Sequence, residues 1–241
     1  MVCSLNIFFI FNSWLALLFF CINFCLIASA DVTVPGFFIA VEGIDGTGKS
    51  TLCKALEKYF QAKNQKFLSV REPGGSQLGK KIRTLLLEEQ SIKIFPETEM
   101  LLFAADRAQL FREHVIPALV QGFVVISDRS SLSSLIYQGY GKGLDKNVIK
   151  SINAWAYNGI KPNLIVVLDL EVNIAKKRIA NSRATLDSFE KREDLFFEVL
   201  RRGFKEEVKD NPNALILDAA ESTESLCQKI IEKIENLNRS T

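Results

Sequence analysis

Residues 43–50 read GIDGTGKS and fit the pattern G-x-x-x-x-G-K-[ST], which constrains the fold more than any other feature of the chain. A short apolar run at residues 37–41 precedes the pattern and predicts a buried strand, and residues 51–61 predict a helix with apolar side chains along one side. Strand, glycine-rich loop and helix is the context in which this pattern forms a phosphate-binding loop. We therefore expect the N–H groups of the loop to converge on the phosphates of a nucleoside triphosphate. The alternative is a glycine turn that only joins a strand to a helix.

The residues of the loop and of a later apolar run suggest separate roles. Lys49 would reach the outer phosphates, and the hydroxyl of Ser50 would ligate Mg²⁺. Asp128 directly follows another apolar run, at residues 122–127, so its carboxylate is the expected second metal ligand, and Arg129 beside it would contact a phosphate. The alternative is an acid and a base that only cap a strand end. The expected triphosphate contacts are Gly43, Asp45, Gly46, Thr47, Gly48, Lys49, Ser50 and Thr51.

Apolar runs alternate with helical patterns from residue 36 to residue 241, which we predict to be one domain. The runs are continuous in Val, Ile, Leu and Phe, as expected for strands that are buried on both faces of a sheet. Their alternation with helices predicts parallel crossover connections. The predicted fold is therefore α/β, with a five-stranded parallel sheet flanked by helices and with ligands beyond the carboxyl ends of the strands. The five runs lie at residues 37–41, 66–71, 122–127, 163–168 and 214–217.

Composition and charge narrow the functional classes. Lys and Arg number 30 against 28 Asp and Glu, and this near-balance offers no field suited to wrapping nucleic acid. None of the five cysteines forms a C-x-x-C pair, so we predict neither a disulfide framework nor a zinc site. The single histidine, His114, lies in a predicted helix and is expected to be structural rather than catalytic.

Residues 1–35 form an apolar N-terminal extension with no charged side chain before Asp31. Residues 7–30 are long enough to span a bilayer, but the basic flank expected of a signal peptide or an oriented anchor is absent. Three interpretations stay open: a signal or anchor, an upstream start that adds non-native residues, and a functional extension of another kind. Because nucleoside triphosphates are cytosolic, we expect the protein to be cytoplasmic and membrane association to be unlikely.

Three further features could carry chemistry. Residues 71–75 (REPGG) predict a tight turn that could close over a ligand, and Phe103 and Arg107 share one face of a helix, as a nucleotide-binding surface requires. The alternative for the latter pair is a core ring and a surface cation. A basic region follows the fourth apolar run, and because the phosphate loop has no basic residue before Lys49, we expect a mobile lid there to deliver an arginine. The alternative is a solvated helix face.

Taken together, these segments resemble the thymidylate kinase family of P-loop nucleoside monophosphate kinases. The resemblance covers residues 37–241 and is carried by VEGIDGTGKST at 41–51, REPGG at 71–75, FAADR at 103–107, DRS at 128–130 and YQG at 137–139. It implies transfer of a phosphoryl group from ATP to dTMP with Mg²⁺, in dTTP synthesis, and a homodimer. It also implies roles for particular residues: Lys49, Arg129 and Arg183 in catalysis, Ser50 and Asp128 at the metal, and Asp45, Arg71, Arg83, Phe103, Arg107, Arg129, Ser134 and Gln138 at dTMP.

Within that implied site, Phe103 would stack on thymine, Ser134 and Gln138 would contact the base, and Arg107 and Arg129 would hold the phosphate. The sequence departs from the family at Ser130, where many relatives carry a bulky residue, and in the lid, which leaves the catalytic arginine open between Arg183 and Arg178. Two alternatives remain: another nucleoside monophosphate kinase, and a membrane-tethered P-loop ATPase. A GTPase is disfavoured because no N-K-x-D segment occurs.

Overall fold

A single parallel sheet forms the centre of the computed structural model, which describes residues 34–89, 91–182 and 194–239. Its strands lie in the order β2-β3-β1-β4-β5, and every neighbouring pair is parallel. The predicted five-stranded parallel sheet is therefore confirmed, and each strand lies within two residues of its predicted position. The strands are β1 (Phe37–Glu42), β2 (Phe67–Arg71), β3 (Val124–Asp128), β4 (Leu164–Asp169) and β5 (Ala214–Asp218).

Helices cover both faces of the sheet, because alternate residues of the central strand β1 point into two separate cores. Ile39 and Val41 belong to the larger core, whereas Phe38 and Ala40 belong to the smaller one. In the smaller core the ring of Phe38 packs edge-on against Phe111 at a centroid distance of 5.7 Å. Burying one such ring contributes about 2–3 kcal/mol to folding.

The described helices follow the predicted order, with ends that differ by a few residues. The apolar pattern predicts a helix from Glu97 to about Arg112 that continues or restarts toward Val120. In the structure this helix ends at Leu110, and a π-helical turn (Phe111–Val115) joins it to a short helix. Pro117 accounts for the interruption, because it lacks an N–H and its ring conflicts with regular α-helical packing of the preceding turn. The helices are α1 (Lys49–Ala62), α2 (Gln77–Leu87), α3 (Pro96–Leu110), α4 (Ile116–Val120), α5 (Ser131–Ser134), α6 (Lys146–Ala156), α7 (Val172–Ser182), α8 (Asp194–Val208) and α9 (Thr223–Arg239).

One helical segment is not predicted from the sequence. The short α5 runs directly into a π-helical turn at Leu135–Tyr140. Its serines are poor helix formers, and Ser133 and Ser134 are buried, so the segment shows no polar outer face. Tertiary packing rather than local preference determines this helix.

The strand register brings three strand ends to one edge of the sheet. Asp128 lies opposite Val41 of β1 and opposite Arg71 of β2. The residues that follow these positions, including Gly43 and Glu72, therefore emerge side by side. Ligand-binding groups from distant parts of the sequence thus meet at the carboxyl ends of the strands, as parallel sheets require.

The predicted N-terminal extension lies outside the described residues, apart from Val34 and Pro35, and the compact unit that contains the sheet begins at Val34. Within the described parts of the chain, no helix is both long enough and apolar enough to cross a membrane.

Candidate active site

Glycines let the loop between β1 and α1 pass close to neighbouring backbone. Gly43 has a φ of 138° and Gly46 a φ of 81°, in a region that L-residues rarely adopt. A Cβ on Gly46 would lie 2.4 Å from the carbonyl oxygen of Ala175, and a Cβ on Gly43 would lie 2.6 Å from that of Leu168. No side chain caps the N-terminus of α1 after Gly48, and its first turn contains no acidic residue. The helix therefore presents uncapped N–H groups and its positive dipole end to an anion.

Lys49 begins α1 and is almost completely buried at the base of the loop. Its Nζ donates a 2.8 Å hydrogen bond to the carbonyl of Ile44. Burial and the nearby charge of Arg129 together lower the pKa of Lys49 to about 8, although the charges of Asp45 and Asp128 oppose the shift. An anionic phosphate beside Nζ would favour the charged form.

Ser50 and Asp128 provide two oxygen ligands of the kind that Mg²⁺ prefers. The hydroxyl of Ser50 donates a 2.5 Å hydrogen bond to Oδ2 of Asp128, so the two oxygens already lie together at the loop. Among the described residues no group of three or more His, Cys, Asp or Glu could hold a metal ion. This donor set fits Mg²⁺, which keeps several waters and is commonly bound through one or two carboxylates together with substrate phosphates.

Arg129 spans the gap between β3 and the phosphate loop. Its φ of 77° is unusual for a residue with a side chain and turns the chain out of β3, and its backbone N–H donates to the carbonyl of Val41. The guanidinium pairs with the carboxylate of Asp45, donates to Ser133 Oγ at 2.9 Å and lies 5.2 Å from the ring of Tyr137. A cation is thus held directly above the loop, facing the space that phosphates would occupy.

Asp45 is held as a carboxylate by these cations. Burial alone would raise the pKa of Asp45, but the charges of Arg129 and Lys49 outweigh burial and lower the pKa to about 2. The hydroxyl of Tyr137 also donates to Asp45 at 3.1 Å. Asp45 therefore orients Arg129 and Tyr137 at the mouth of the loop.

A buried carboxylate behind Arg129 was not identified from the sequence. Glu42 is completely buried and accepts hydrogen bonds of 2.6 Å from both Ser130 and Ser133. Burial raises the pKa of Glu42, although the two hydroxyls and Arg129 oppose that shift. Ser133 both donates to Glu42 and accepts from Arg129. The one sequence feature that could have indicated this network is an acid at the end of an otherwise apolar strand.

The structure shows what Ser130 does at the position where many relatives carry a bulky residue. Its hydroxyl fills a buried position and donates to Glu42, and its oxygen also accepts from the N–H of Leu132 at the start of α5. The small side chain thus supplies both a helix cap and a hydrogen-bond donor to a buried carboxyl group.

Arg107 also lines the site and is 1% exposed. Its Nε donates to Glu72 at 2.7 Å, Nη1 to Asn153 at 2.6 Å and Nη2 to Ser134 at 3.1 Å. These bonds use one N–H of Nη1 and one of Nη2, so each of these two nitrogens has a second N–H that could bind a ligand. The charge of this guanidinium is thus largely matched by Glu72, so a phosphate would meet a weaker field here than at Arg129. That Arg107 holds a phosphate stays a prediction.

The turn at residues 71–75 and the following helix add further cations to the site. Arg83 donates from Nη1 to the carbonyl of Pro73 at 3.0 Å, which ties α2 to the turn. Burial lowers the pKa of Arg83, and the neighbouring positive charge of Arg71 lowers it further. Two cations that repel each other beside a cleft favour the binding of an anion between them.

In the basic region, ion pairs engage some of the candidate residues. Arg183 lies outside the described residues, whereas Arg178 lines the cleft and donates to the carbonyl of Ala219 at 3.0 Å. Arg201 is bonded to Asp169 at 2.6 and 3.1 Å and pairs with Glu171. The charge of Arg201 is therefore used in structural ion pairs. Among the described arginines of this region, Arg178 is the one that lines the cleft.

These walls enclose one cleft of about 740 Å³. Its size lies in the range typical of small-molecule sites. The predicted site residues that lie within the described parts of the chain all line it, except Gly43, whose carbonyl accepts from Arg129 at 3.3 Å. Those that line it are Asp45, Gly46, Thr47, Gly48, Lys49, Ser50, Thr51, Arg71, Arg83, Phe103, Arg107, Asp128, Arg129, Ser134 and Gln138.

Comparison with known proteins agrees with this arrangement. Residues 41–230 match the sequence model of the family described as thymidylate kinase. The chain is 39% identical to the thymidylate kinase of Kosmotoga olearia over 197 residues, which cover 81% of this chain and 94% of that protein. It is 39% identical to the thymidylate kinase of Finegoldia magna over 201 residues (83% and 98% coverage) and 40% identical to that of Carboxydothermus hydrogenoformans over 203 residues (84% and 98%).

The matched segment contains the end of β1, the phosphate loop, strands β2 to β5 and the residues that line the cleft, and the similarity extends over most of the length of each relative. The chain therefore belongs to the thymidylate kinase family.

Proposed function

We propose that this enzyme transfers the γ-phosphoryl group of ATP to the phosphate of dTMP, giving ADP and dTDP. The observation that carries the proposal is the single cleft in which the phosphate loop and a second, aromatic and polar wall face each other. Phe103 from α3 and Ser134 and Gln138 from the segment after β3 form that second wall. ATP would bind at the phosphate loop and dTMP at the second wall, and the phosphates of the two nucleotides would then approach each other near Arg129.

The second wall suits a flat base with both hydrogen-bond donors and acceptors. Phe103 is half-buried and offers a ring for stacking. Ser134 accepts from Arg107, so its own hydroxyl proton can be donated to a base carbonyl. Gln138 supplies an amide. Thymine presents two carbonyls that flank an N–H, and this surface matches such a pattern.

Catalysis would depend on position and charge, since phosphoryl transfer needs no side-chain nucleophile. The uncapped N-terminus of α1 and Lys49 would hold the phosphates of ATP, and Arg129 would bind between donor and acceptor phosphates. Asp45 and Ser133 would keep the guanidinium aligned. Charge developing on the transferred group would then be stabilised by cations that are already oriented.

Ser50 and Asp128 would hold Mg²⁺ together with phosphate oxygens of ATP. The ion would neutralise charge on the β- and γ-phosphates. A lid arginine would complete the site, with Arg183 or Arg178 as the candidates.

A coupled assay of ADP production tests the proposal, with dTMP, dUMP, dCMP, AMP and GMP each offered as the acceptor. We expect dTMP to give the highest kcat/KM. Preference for AMP or GMP, or hydrolysis of ATP that does not depend on an acceptor, would overturn the assignment. Phe103→Ala should raise KM for the acceptor more than KM for ATP, whereas Phe95→Ala, which removes an exposed ring next to the same helix, should change neither.

Two further properties belong to this proposal. By resemblance to the family we propose a homodimer, and the exposed side chains of Leu101 on α3 and Trp155 on α6 offer apolar surface that a second copy would cover. Light scattering coupled to gel filtration measures this directly. Because ATP is cytosolic, we also propose that the domain acts in the cytoplasm, with residues 1–35 as an extension outside the catalytic domain.

A further inference from the structure

Gln138 carries a buried acceptor without a protein partner. Its Nε2 donates a 2.7 Å hydrogen bond to Oε1 of Glu99, whereas its Oε1 is buried and has no hydrogen-bond partner among the described residues. Gln138 itself is 1% exposed and lines the cleft. A buried carbonyl of this kind is commonly paired, so a donor supplied by a bound molecule is the natural partner.

Glu99 determines which end of this amide donates. A carboxylate can only accept hydrogen bonds, so the amide of Gln138 must turn its NH₂ toward Glu99 and its oxygen away. The other orientation would set two acceptors against each other at 2.7 Å. Glu99 is itself 6% exposed, which gives it few alternatives to this contact.

Two features fix the surroundings of the Glu99 carboxylate. Lys142 forms an ion pair with Oε2 of the same carboxylate, leaving Oε1 to Gln138. Glu99 also lies in the first turn of α3, where the helix dipole favours a negative charge. The ion pair of Glu99 and Lys142 thus sets the orientation of the Gln138 amide, although neither of these two residues lines the cleft.

We infer that Glu99, held by Lys142, is a positioning residue that makes Gln138 present an acceptor to the base and thereby selects pyrimidines with an N3–H over cytosine. This inference rests on the proposed function and extends it to base discrimination. Thymine and uracil carry a donor at N3, whereas N3 of cytosine is an acceptor and would face the oxygen of Gln138. A site whose polar group is left unpaired by the wrong ligand discriminates strongly against that ligand.

The test compares kcat/KM for dTMP, dUMP and dCMP in four proteins: the unmodified chain, Glu99→Gln, Glu99→Asp and Glu97→Gln. Glu99→Gln preserves shape but introduces an NH₂ that can donate to Gln138, so both amide orientations become accessible. We expect the dTMP to dCMP ratio to fall at least about tenfold, as for one lost hydrogen bond of ordinary strength. The dTMP to dUMP ratio should stay within about twofold, because both bases carry the N3–H.

The other two variants separate charge from shape. Glu99→Asp keeps an acceptor-only carboxylate, and we expect it to retain more of the dTMP to dCMP ratio than Glu99→Gln does, although Gln is closer in size. Glu97→Gln makes the same chemical change at an exposed position two residues away and should behave like the unmodified chain. Equal losses for all three substrates in Glu99→Gln, or a ratio that falls as far in Glu99→Asp, would overturn the inference.

Binding measurements and a further variant keep the test independent of turnover and of folding. Calorimetric titration with dTMP and dCMP should show the same change in ratio. If Glu99→Gln does not fold, Lys142→Met should lower the dTMP to dCMP ratio while it leaves the dTMP to dUMP ratio in place, and an unchanged ratio would contradict the inference. Absence of dTMP turnover by the unmodified chain would instead refute the proposed function itself.

Discussion

The hydroxyl of Ser50 lies 2.5 Å from the carboxylate of Asp128, although 78 residues separate them in the chain. Ser50 stands in the first turn of α1 and Asp128 ends β3, which pairs directly with β1. The parallel pairing of these two strands is therefore what assembles the pair of oxygens proposed to bind Mg²⁺.

Removing either oxygen should weaken the response of the enzyme to Mg²⁺. We expect Ser50→Ala and Asp128→Asn each to raise the Mg²⁺ concentration needed for half-maximal activity by about 10–100-fold. Activity measured against Mg²⁺ concentration at fixed ATP checks this. Ser151→Ala, on the exposed side of α6, is the matched control and should leave the curve unchanged. An unchanged curve for both active-site variants would rule out their role as ligands.

A side chain at Gly46 should be harmful for a steric reason beyond its φ. Gly46 and Gly122 have φ values of 81° and 78°, so alanine meets similar backbone strain at both. Only at Gly46 would the new Cβ lie 2.4 Å from a backbone oxygen, whereas nothing lies within 4 Å at Gly122. Urea unfolding should show that Gly46→Ala costs about 1–3 kcal/mol more than Gly122→Ala. Equal costs would mean that the loop moves away from α7 without penalty.

The lowered pKa of Lys49 predicts that ATP binding depends on pH. Above pH 8 the free protein progressively loses the proton of Lys49, and anionic phosphates favour the charged form, so binding takes up a proton. Affinity for ATP should therefore fall as pH rises above 8, approaching about tenfold per pH unit. Because the unfolded chain keeps this proton up to the ordinary lysine pKa, Lys49 also makes the free protein more stable as pH rises from 8 toward 10.5.

Calorimetry at pH 7 to 9.5, in buffers of different ionisation enthalpy, measures this proton uptake. Lys49→Arg keeps its charge throughout that range, so its affinity, although lower, should change little with pH. The prediction is wrong if the unmodified chain and Lys49→Arg lose affinity with the same slope.

Glu42 should affect the acceptor site through Ser133. Glu42→Gln puts an NH₂ group in place of one carboxyl oxygen behind the Ser133 hydroxyl, which in turn contacts Arg129. We expect kcat/KM for dTMP to fall about tenfold. Ser133→Ala should produce a similar loss. Because both changes break one chain of hydrogen bonds, the double variant should lose much less than the product of the two effects.

Steady-state kinetics of the two single variants and the double variant complete this cycle, with Glu97→Gln as an exposed control for the change in charge. Fully multiplicative effects of the two changes would show that Glu42 and Ser133 do not act on Arg129 together.

The sequence alone was sufficient for the fold and for the half of the site that is local in the chain. The phosphate loop and Lys49–Ser50 are contiguous, and continuous apolar strands that alternate with helices leave few arrangements other than a parallel sheet. The positions of Asp128 and Arg71 at strand ends were also predictable, since parallel strands share one ligand-binding edge.

Tertiary structure alone determined which partners these residues have. Ser133 and Ser134 lie in a helix whose weak local propensity gives no signal in the sequence. The roles of Glu42 and Glu99 depend on the side chains that are packed against them. Three N–H donors of Arg107 are engaged by Glu72, Asn153 and Ser134, from three separate segments. Such contacts depend on which groups meet when the chain folds, and a linear pattern records spacing along the backbone but not proximity across it.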